Sequence, residues 1–249
     1  MDHRIAWITG ASSGIGAALA LRMARDGWTV AASARDAKAL ASVAASGGGR
    51  IVPVPLDVTD LAACRAAVGR IEEEIGPVAT AVLAAGTHIP VEAATFDAAT
   101  VRKLVEVNLM GVVNAVDAVL PSLIERRAGR LAIVSSVAGY RGLPTSAGYG
   151  ATKAGLINFA ESLKFDLDGL GIVTQVVCPG FVRTRLTDRN PFPMPFLMEV
   201  EEAAERLYRG LQGNAFEIVF PRRFALILKL LGLLPDALYF ALMHRATGK

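Results

Sequence analysis

Cysteine is nearly missing from this chain: Cys64 and Cys178 are the only two, far apart and outside any CxxC spacing. That excludes a disulfide framework and a thiolate metal site, and leaves two small residues suited to burial. Histidine is almost as scarce. His3, His88 and His244 are scattered and none belongs to an HExxH pattern, so the sequence offers no support for a metal ion. A basic stripe interleaved with aromatics is absent from the first 220 residues, and a net charge of +3 is too small to argue for nucleic acid. The opening MDHRIAWITG reaches a strand-like segment by Ile5, with no room for a signal peptide, and the expectation is a cytoplasmic protein. Fixed-period repeats and linker-like low-complexity runs are lacking too, which predicts one domain.

What is present fits that prediction. The 249 residues are 53% hydrophobic and 20% charged, the balance of one soluble α/β domain. Strand-length apolar runs recur at 4–9, 28–33, 51–54, 79–84, 130–135, 172–178 and 216–220, several rich in Val and Ile. Helix-like stretches lie between them near 14–26, 36–45, 60–75, 97–120, 149–168 and 199–212. This alternation of βαβ units predicts a Rossmann-type doubly wound parallel sheet of about seven strands, with helices on both faces, over residues 1–221. Ligands in such sheets bind beyond the carboxyl ends of the strands, so chemistry-bearing motifs should fall just after strands.

The first such position carries TGASSGIG, Thr9 to Gly16. Gly10, Gly14 and Gly16 permit a tight turn and a close backbone approach to a pyrophosphate, while the free N–H groups of Ser12, Ser13 and Ile15 open a helix facing the phosphates. The second strand ends at Arg35, where the adenosine ribose of a dinucleotide would lie. A cation there favours the 2′-phosphate of NADP(H), whereas NAD(H) usually meets a carboxylate. Asp36 reads as the cap of the next helix. The competing reading of Arg35 is a solvated loop charge.

YGATK, Tyr149 to Lys153, places a phenol and an ammonium on one helical face, and a neighbouring cation should favour the phenolate. Ser136 closes the fifth strand in LAIVSSVAG, where its hydroxyl could hydrogen-bond a substrate oxygen. Ser135 competes, but strand alternation turns it to the other face. Asn108 sits in a long helical segment that does not favour Asn by propensity, which suggests a polar role.

Together TGASSGIG, Asp57-Val58 after the third strand, Asn108, Ser136, YGATK and PGFVRT (Pro179 to Thr184) resemble, in order and spacing, the short-chain dehydrogenase/reductase (SDR) family over residues 4 to 220. The resemblance implies that Asn108, Ser136, Tyr149 and Lys153 form a catalytic tetrad for hydride transfer between a nicotinamide and an alcohol or carbonyl carbon. It implies that Asp57 and Val58 contact adenine, that Pro179, Gly180 and Thr184 border the nicotinamide, and that Tyr149 and Lys153 also touch the cofactor. Lys153 would lower the Tyr149 pKa, and Asn108 would hold a water linking Lys153 to solvent. A homo-oligomer is implied as well. The chain departs from the family at Leu83, Ala84, Ala85 and Gly86, where NNAG is usual. Side-chain contacts near the adenosine are lost there, but Ala85 and Gly86 still allow close backbone approach.

Two segments remain. Residues 185–200 carry Pro191, Phe192, Pro193, Met194, Pro195 and Phe196, an apolar lid suited to a hydrophobic alcohol or carbonyl compound, or else a loop packed on the core or another subunit. Residues 222–249 form an apolar extension divided by Gly232 and Pro235, too short in either piece to span a bilayer. The extension holds five Lys or Arg against Asp236, a local +4 that leaves −1 for the remainder. Pocket cover, a subunit interface and peripheral contact with an anionic membrane all fit. Alternatives to the NADP(H) enzyme are an NAD-dependent alcohol dehydrogenase of the same family, an epimerase or dehydratase on the same sheet, and a protein that senses a dinucleotide without chemistry.

Overall fold

The computed structural model describes residues 4–187 and 194–248. Seven strands form one parallel sheet: β1 (Ile5–Thr9), β2 (Thr29–Ala34), β3 (Ile51–Pro55), β4 (Thr80–Leu83), β5 (Gly129–Val134), β6 (Ile172–Pro179) and β7 (Glu217–Phe220), in the order β3-β2-β1-β4-β5-β6-β7. The expected single-domain α/β architecture is what the chain adopts. Alternation along β1 divides the core: Ile5 and Trp7 point to one face, Ala6 and Ile8 to the other.

On the first face pack α3 (Leu61–Glu74), α5 (Gly111–Arg126) and α6 (Ala147–Asp168). On the second lie α1 (Gly14–Arg25), α2 (Ala37–Ala45) and α7 (Val200–Leu211), with Leu19, Met23, Leu40, Leu207 and Leu211 buried together. The helix starts use acidic caps. Asp36, Asp60 and Asp97 each accept from a backbone N–H two or three residues on, at 2.9–3.0 Å.

One element differs from the sequence expectation and one follows it. The helix expected over 97–120 runs as α4 (Ala98–Val105), a π-helical turn at Glu106–Met110, and then α5. Single π turns break the apolar period by one residue, and they favour functional positions because they re-aim side chains. The extension after β7 forms two short helices, α8 (Arg222–Gly232) and α9 (Asp236–Thr247), broken where Gly232 and Pro235 were expected to divide it.

The sheet order reverses between β1 and β4, and a crevice opens above their carboxyl ends. Thr9, almost wholly buried, holds this junction: its Oγ1 accepts from the backbone N–H of Ala84 at 3.1 Å and of Ala85 at 3.2 Å. Gly10 presses so closely that an added Cβ would sit 2.7 Å from the Ala84 carbonyl oxygen, and its φ of +70° is one that glycine adopts without strain. Thr9→Val keeps the shape but leaves two partly buried donors without their acceptor. It is expected to lower unfolding free energy by ~1–3 kcal/mol in urea titrations, with Thr9→Ser losing less. No loss in Thr9→Val beside a clear loss in Thr9→Ser would assign the effect to the methyl group instead.

Candidate active site

A cavity of about 1040 Å³ extends from the β1–α1 turn along the crevice to the C-terminal helices. One end is built from backbone. Gly10, Ser12, Ser13, Gly14, Ile15 and Gly16 line it, and α1 begins without a side-chain cap on its first-turn N–H groups. An added Cβ on Gly16 would meet the Gly10 carbonyl oxygen at 2.5 Å, so the turn admits no side chain there. Such a cradle, with orphan donors at a helix start, suits a pyrophosphate.

Arg35 and Asp57 stand beside this end, both exposed on the cavity wall. Asp57 Oδ1 accepts from the Thr59 N–H at 3.0 Å and from the Thr59 hydroxyl at 2.9 Å. The Thr59 backbone bond is the main reason its carboxyl lies below the usual range, and the Arg35 charge adds to the effect. Asp36 also lines the cavity, but its Oδ1 is engaged by the Ala39 N–H at 2.9 Å. Val58 is buried and fixed from behind, its carbonyl accepting from Asn114 Nδ2 at 2.9 Å. Where NNAG is usual, Ala85 and Gly86 line the cavity with the backbone that Thr9 braces.

At the centre stand Ser136, Tyr149 and Lys153. Ser136 follows β5. Its Oγ donates to the Pro179 carbonyl at 3.3 Å, accepts from the Ala138 N–H at 3.2 Å and lies against the Tyr149 phenol. Ser135 is buried, and its hydroxyl donates to the Lys153 carbonyl at 2.7 Å, which ties β5 to α6. Lys153 is almost fully buried; its Nζ donates to the Val134 carbonyl at 2.9 Å and sits 5.6 Å from the centre of the Tyr149 ring.

Electrostatics at this centre correct one expectation. The lysine was expected to draw the Tyr149 pKa down. Burial instead dominates and raises it, opposed by the hydrogen bond with Ser136. Burial also pushes Lys153 down to about 8. Loss of solvation sets the direction of both shifts.

Asn108 does not line the cavity. It is fully buried on the π-helical turn, where Oδ1 accepts from the Thr87 N–H at 2.7 Å and Nδ2 donates to the Thr87 carbonyl at 2.9 Å and to Thr152 Oγ1 at 3.3 Å. Three hydrogen bonds engage its amide, so the side chain braces the loop after β4.

The far end combines several segments. Pro179 closes β6, and Gly180 follows, its N–H donating to the Phe220 carbonyl at 2.8 Å. The Thr184 N–H donates to Thr187 Oγ1 at 2.9 Å. Of the segment expected as a lid, Arg185, Leu186, Thr187, Met194 and Pro195 line the cavity, while residues 188–193, with Pro191, Phe192 and Pro193, lie outside the described residues. Phe224 and Leu228 of α8 and Met243, Ala246 and Thr247 of α9 complete the wall. Phe224 stacks with Phe181 at 5.6 Å and Phe196 at 5.9 Å between ring centres.

Sequence reasoning passed over two residues. His88, set aside as an isolated histidine, is half-buried in the cavity with its ring edge-on to Tyr149 at 4.8 Å, and burial lowers its pKa. Its place just past a strand's carboxyl end was the available signal. Arg141 donates to the carbonyls of Gly232 at 2.9 Å and Leu234 at 2.8 Å, pairs with Asp236 at 2.6 Å and lies 3.9 Å over the Tyr239 ring. It thereby pins α8 and α9 to the loop between Ser136 and Tyr149. Nothing local marked that role, because its partners are some ninety residues away.

Comparison with known proteins agrees with this arrangement. The sequence pattern of the short chain dehydrogenase family matches residues 4–191. The chain is 39% identical over 248 residues to an uncharacterized oxidoreductase of Myxococcus xanthus, covering 98% of each. It is 34% identical over 201 residues to the 3-oxoacyl-acyl-carrier-protein reductase FabG of Thermotoga maritima, covering 77% of this chain and 79% of that one. A solved short-chain dehydrogenase from Sphingobium yanoikuyae in complex with NADPH is similar at a TM-score of 0.79 and 27% identity, across 98% of this chain and 94% of that chain.

The depressed Lys153 pKa makes stability depend on pH with a definite sign. Below about 8 both folded and unfolded chains carry the charge, and the burial penalty is complete; between there and the ordinary value of 10.5 the unfolded chain binds more protons, so stability rises. The stability of the wild type relative to Lys153→Met, without added nucleotide, should therefore increase from pH 8 to pH 10 by roughly 2 kcal/mol. A flat difference in urea titrations across that window would show that Lys153 keeps its ordinary pKa.

Proposed function

The chain belongs to the short-chain dehydrogenase family, and we propose that it is an NADP(H)-dependent oxidoreductase that interconverts a hydrophobic alcohol and its ketone or aldehyde. One observation carries the proposal: a single continuous cavity runs from the helix-start cradle, past Ser136, Tyr149 and Lys153, to an end walled by Phe181, Phe224, Leu228 and Met243. The cradle fits a dinucleotide by its uncapped helix-start N–H groups, presented by a turn that only glycine at positions 10 and 16 lets pack this tightly. Arg35 supports NADP(H) over NAD(H), because the neighbouring Asp36 carboxylate already caps α2. The reductase relative and the NADPH-bound neighbour support the same direction.

When bound, the nicotinamide would supply or accept a hydride at the carbinol carbon. The protein's own contribution is to hold the oxygen and its proton. Ser136 Oγ and Tyr149 Oη converge, so a carbonyl oxygen placed between them would receive two hydrogen bonds and, as negative charge develops, the proton of Tyr149. Burial keeps that phenol protonated at neutral pH, which suits donation and hence reduction. Lys153 uses one of its three donors on Val134, leaving two for a ribose hydroxyl. Asn108 acts as a positioning residue, keeping Thr87 and with it His88 against Tyr149. Asp57 and Val58 would border the adenine, and Pro179, Gly180 and Thr184 the nicotinamide.

Fluorescence titration with NADPH and NADH separates the cofactor claim from the chemistry. Arg35→Ala should weaken NADPH by about 10–100-fold, the loss of one charge-assisted contact, with little change for NADH. Tyr149→Phe should retain NADPH binding while turnover of apolar ketones falls by about 10²–10⁴-fold or more. Equal binding of both nucleotides by the wild type would refute the Arg35 argument, and near-full turnover by Tyr149→Phe would remove the mechanism.

A further inference from the structure

Between its two leading arginines and Lys229, helix α8 carries apolar side chains that face outward as well as inward. It buries Phe224 and Ala225 against the core, yet Leu226 at 59% exposed, Ile227 and Leu230 at 56% point outward. The apolar surface continues through Leu233, 82% exposed in the turn, to Leu238, Phe240 and Leu242 of α9. Of thirteen large apolar side chains exposed among the described residues, seven fall between 226 and 242, a concentration that isolated surface leucines do not produce.

Charge decides what would cover this surface. Lys229 is paired with Glu217, and Asp236, the only acid of the two helices, is paired with Arg141. Arg222, Arg223 and Arg245 are exposed and form no ion pair among the described residues, so the patch carries an excess of positive charge there. A second copy joined about a two-fold axis would set the patch against itself, arginines included, with no acid to answer them. An anionic lipid surface supplies both the apolar phase and the countercharge. At 11 and 12 residues, the helices are too short to span a bilayer and suited to lie within its headgroup region.

We propose that α8 and α9 form a docking surface for an anionic bilayer, into which Leu226, Ile227, Leu230, Leu233, Leu238 and Phe240 insert while Arg222, Arg223 and Arg245 meet lipid phosphates. The same helices place Phe224, Leu228 and Met243 in the cavity wall, so docking brings one end of the cavity to the lipid. The docking stands apart from the redox reading and needs no nucleotide or substrate.

The test is sedimentation of the full chain with vesicles of phosphatidylcholine alone and of phosphatidylcholine mixed with phosphatidylglycerol. The wild type should pellet with the mixed vesicles at low salt, far less with the neutral ones, and should be released as salt rises. Arg222→Gln with Arg223→Gln should weaken binding about 25-fold, at roughly fivefold per arginine. Leu226→Gln with Leu230→Gln should weaken it more than about tenfold, and because these side chains are exposed, melting temperature should not change. A wild type that stays in the supernatant with both vesicle types overturns the proposal. If the leucine variant then also turns an oligomer into a monomer in analytical ultracentrifugation, the occupant of the surface is a second copy. Equal binding to both vesicle types, unaffected by the arginine variant, likewise overturns it.

Discussion

Between β1 and β4 the sheet changes the direction in which strands are added, and the two following connections leave on opposite faces. No helix can cover the gap above their carboxyl ends, so the crevice is a consequence of the winding and not a feature added to it. Such a gap must still be held to shape, and Thr9 does this by accepting from two backbone donors across it. Glycine at position 10 then lets the β1 turn lie against the end of β4 without a side chain between them. Every group assigned to the cavity depends on that spacing. Even Asn108, outside the cavity, acts on it by gripping Thr87 from the π-helical turn.

The centre of the cavity, at Ser136, Tyr149 and Lys153, runs against the rules that stabilise the rest of the molecule. Lys153 is a cation under β5 with one backbone carbonyl for company, and Tyr149 is a phenol whose burial opposes its ionisation. A core built only for stability would place apolar residues there. The surrounding structure absorbs the penalty by tying the centre down: Ser135 joins β5 to the Lys153 backbone, and Ser136 is held by Pro179 and Ala138. Adjacent serines thus divide the work, one hydroxyl turned into the frame and one toward the phenol.

The strands and most helices were legible because Val- and Ile-rich runs end at Gly, Pro or Asp, and because capping follows local rules that Asp36 obeys. The glycine turn was legible for the same reason: its backbone demands leave a residue pattern. The π-helical turn was not, since one inserted residue scarcely disturbs an apolar period. Thr9 carried no signal, because threonine is ordinary in strands and its acceptor role exists only once β4 lies beside β1. The direction of the Tyr149 shift was misread because sequence shows the neighbouring charge but not the depth of burial. Arg141 and His88 belong to the same class: residues whose meaning arises from contacts across long separations.

The C-terminal helices join these levels. Helices with more apolar side chains than one inward face can hold do not say which of them face inward, which is why pocket cover, subunit interface and membrane contact were all consistent with the sequence. The structure resolves part of that ambiguity by letting α8 do two things at once: Phe224 and Leu228 face the cavity while Leu226, Ile227 and Leu230 face outward. Arg141 makes the two faces parts of one device. It holds the last carbonyls of α8, the first acid of α9 and the Tyr239 ring, and Tyr239 in turn donates to the Gly142 carbonyl at 2.6 Å. Because that loop links Ser136 to Tyr149, the helices that bear the outer apolar surface are joined to the backbone beside the phenol by packed, hydrogen-bonded contacts rather than by a flexible tether.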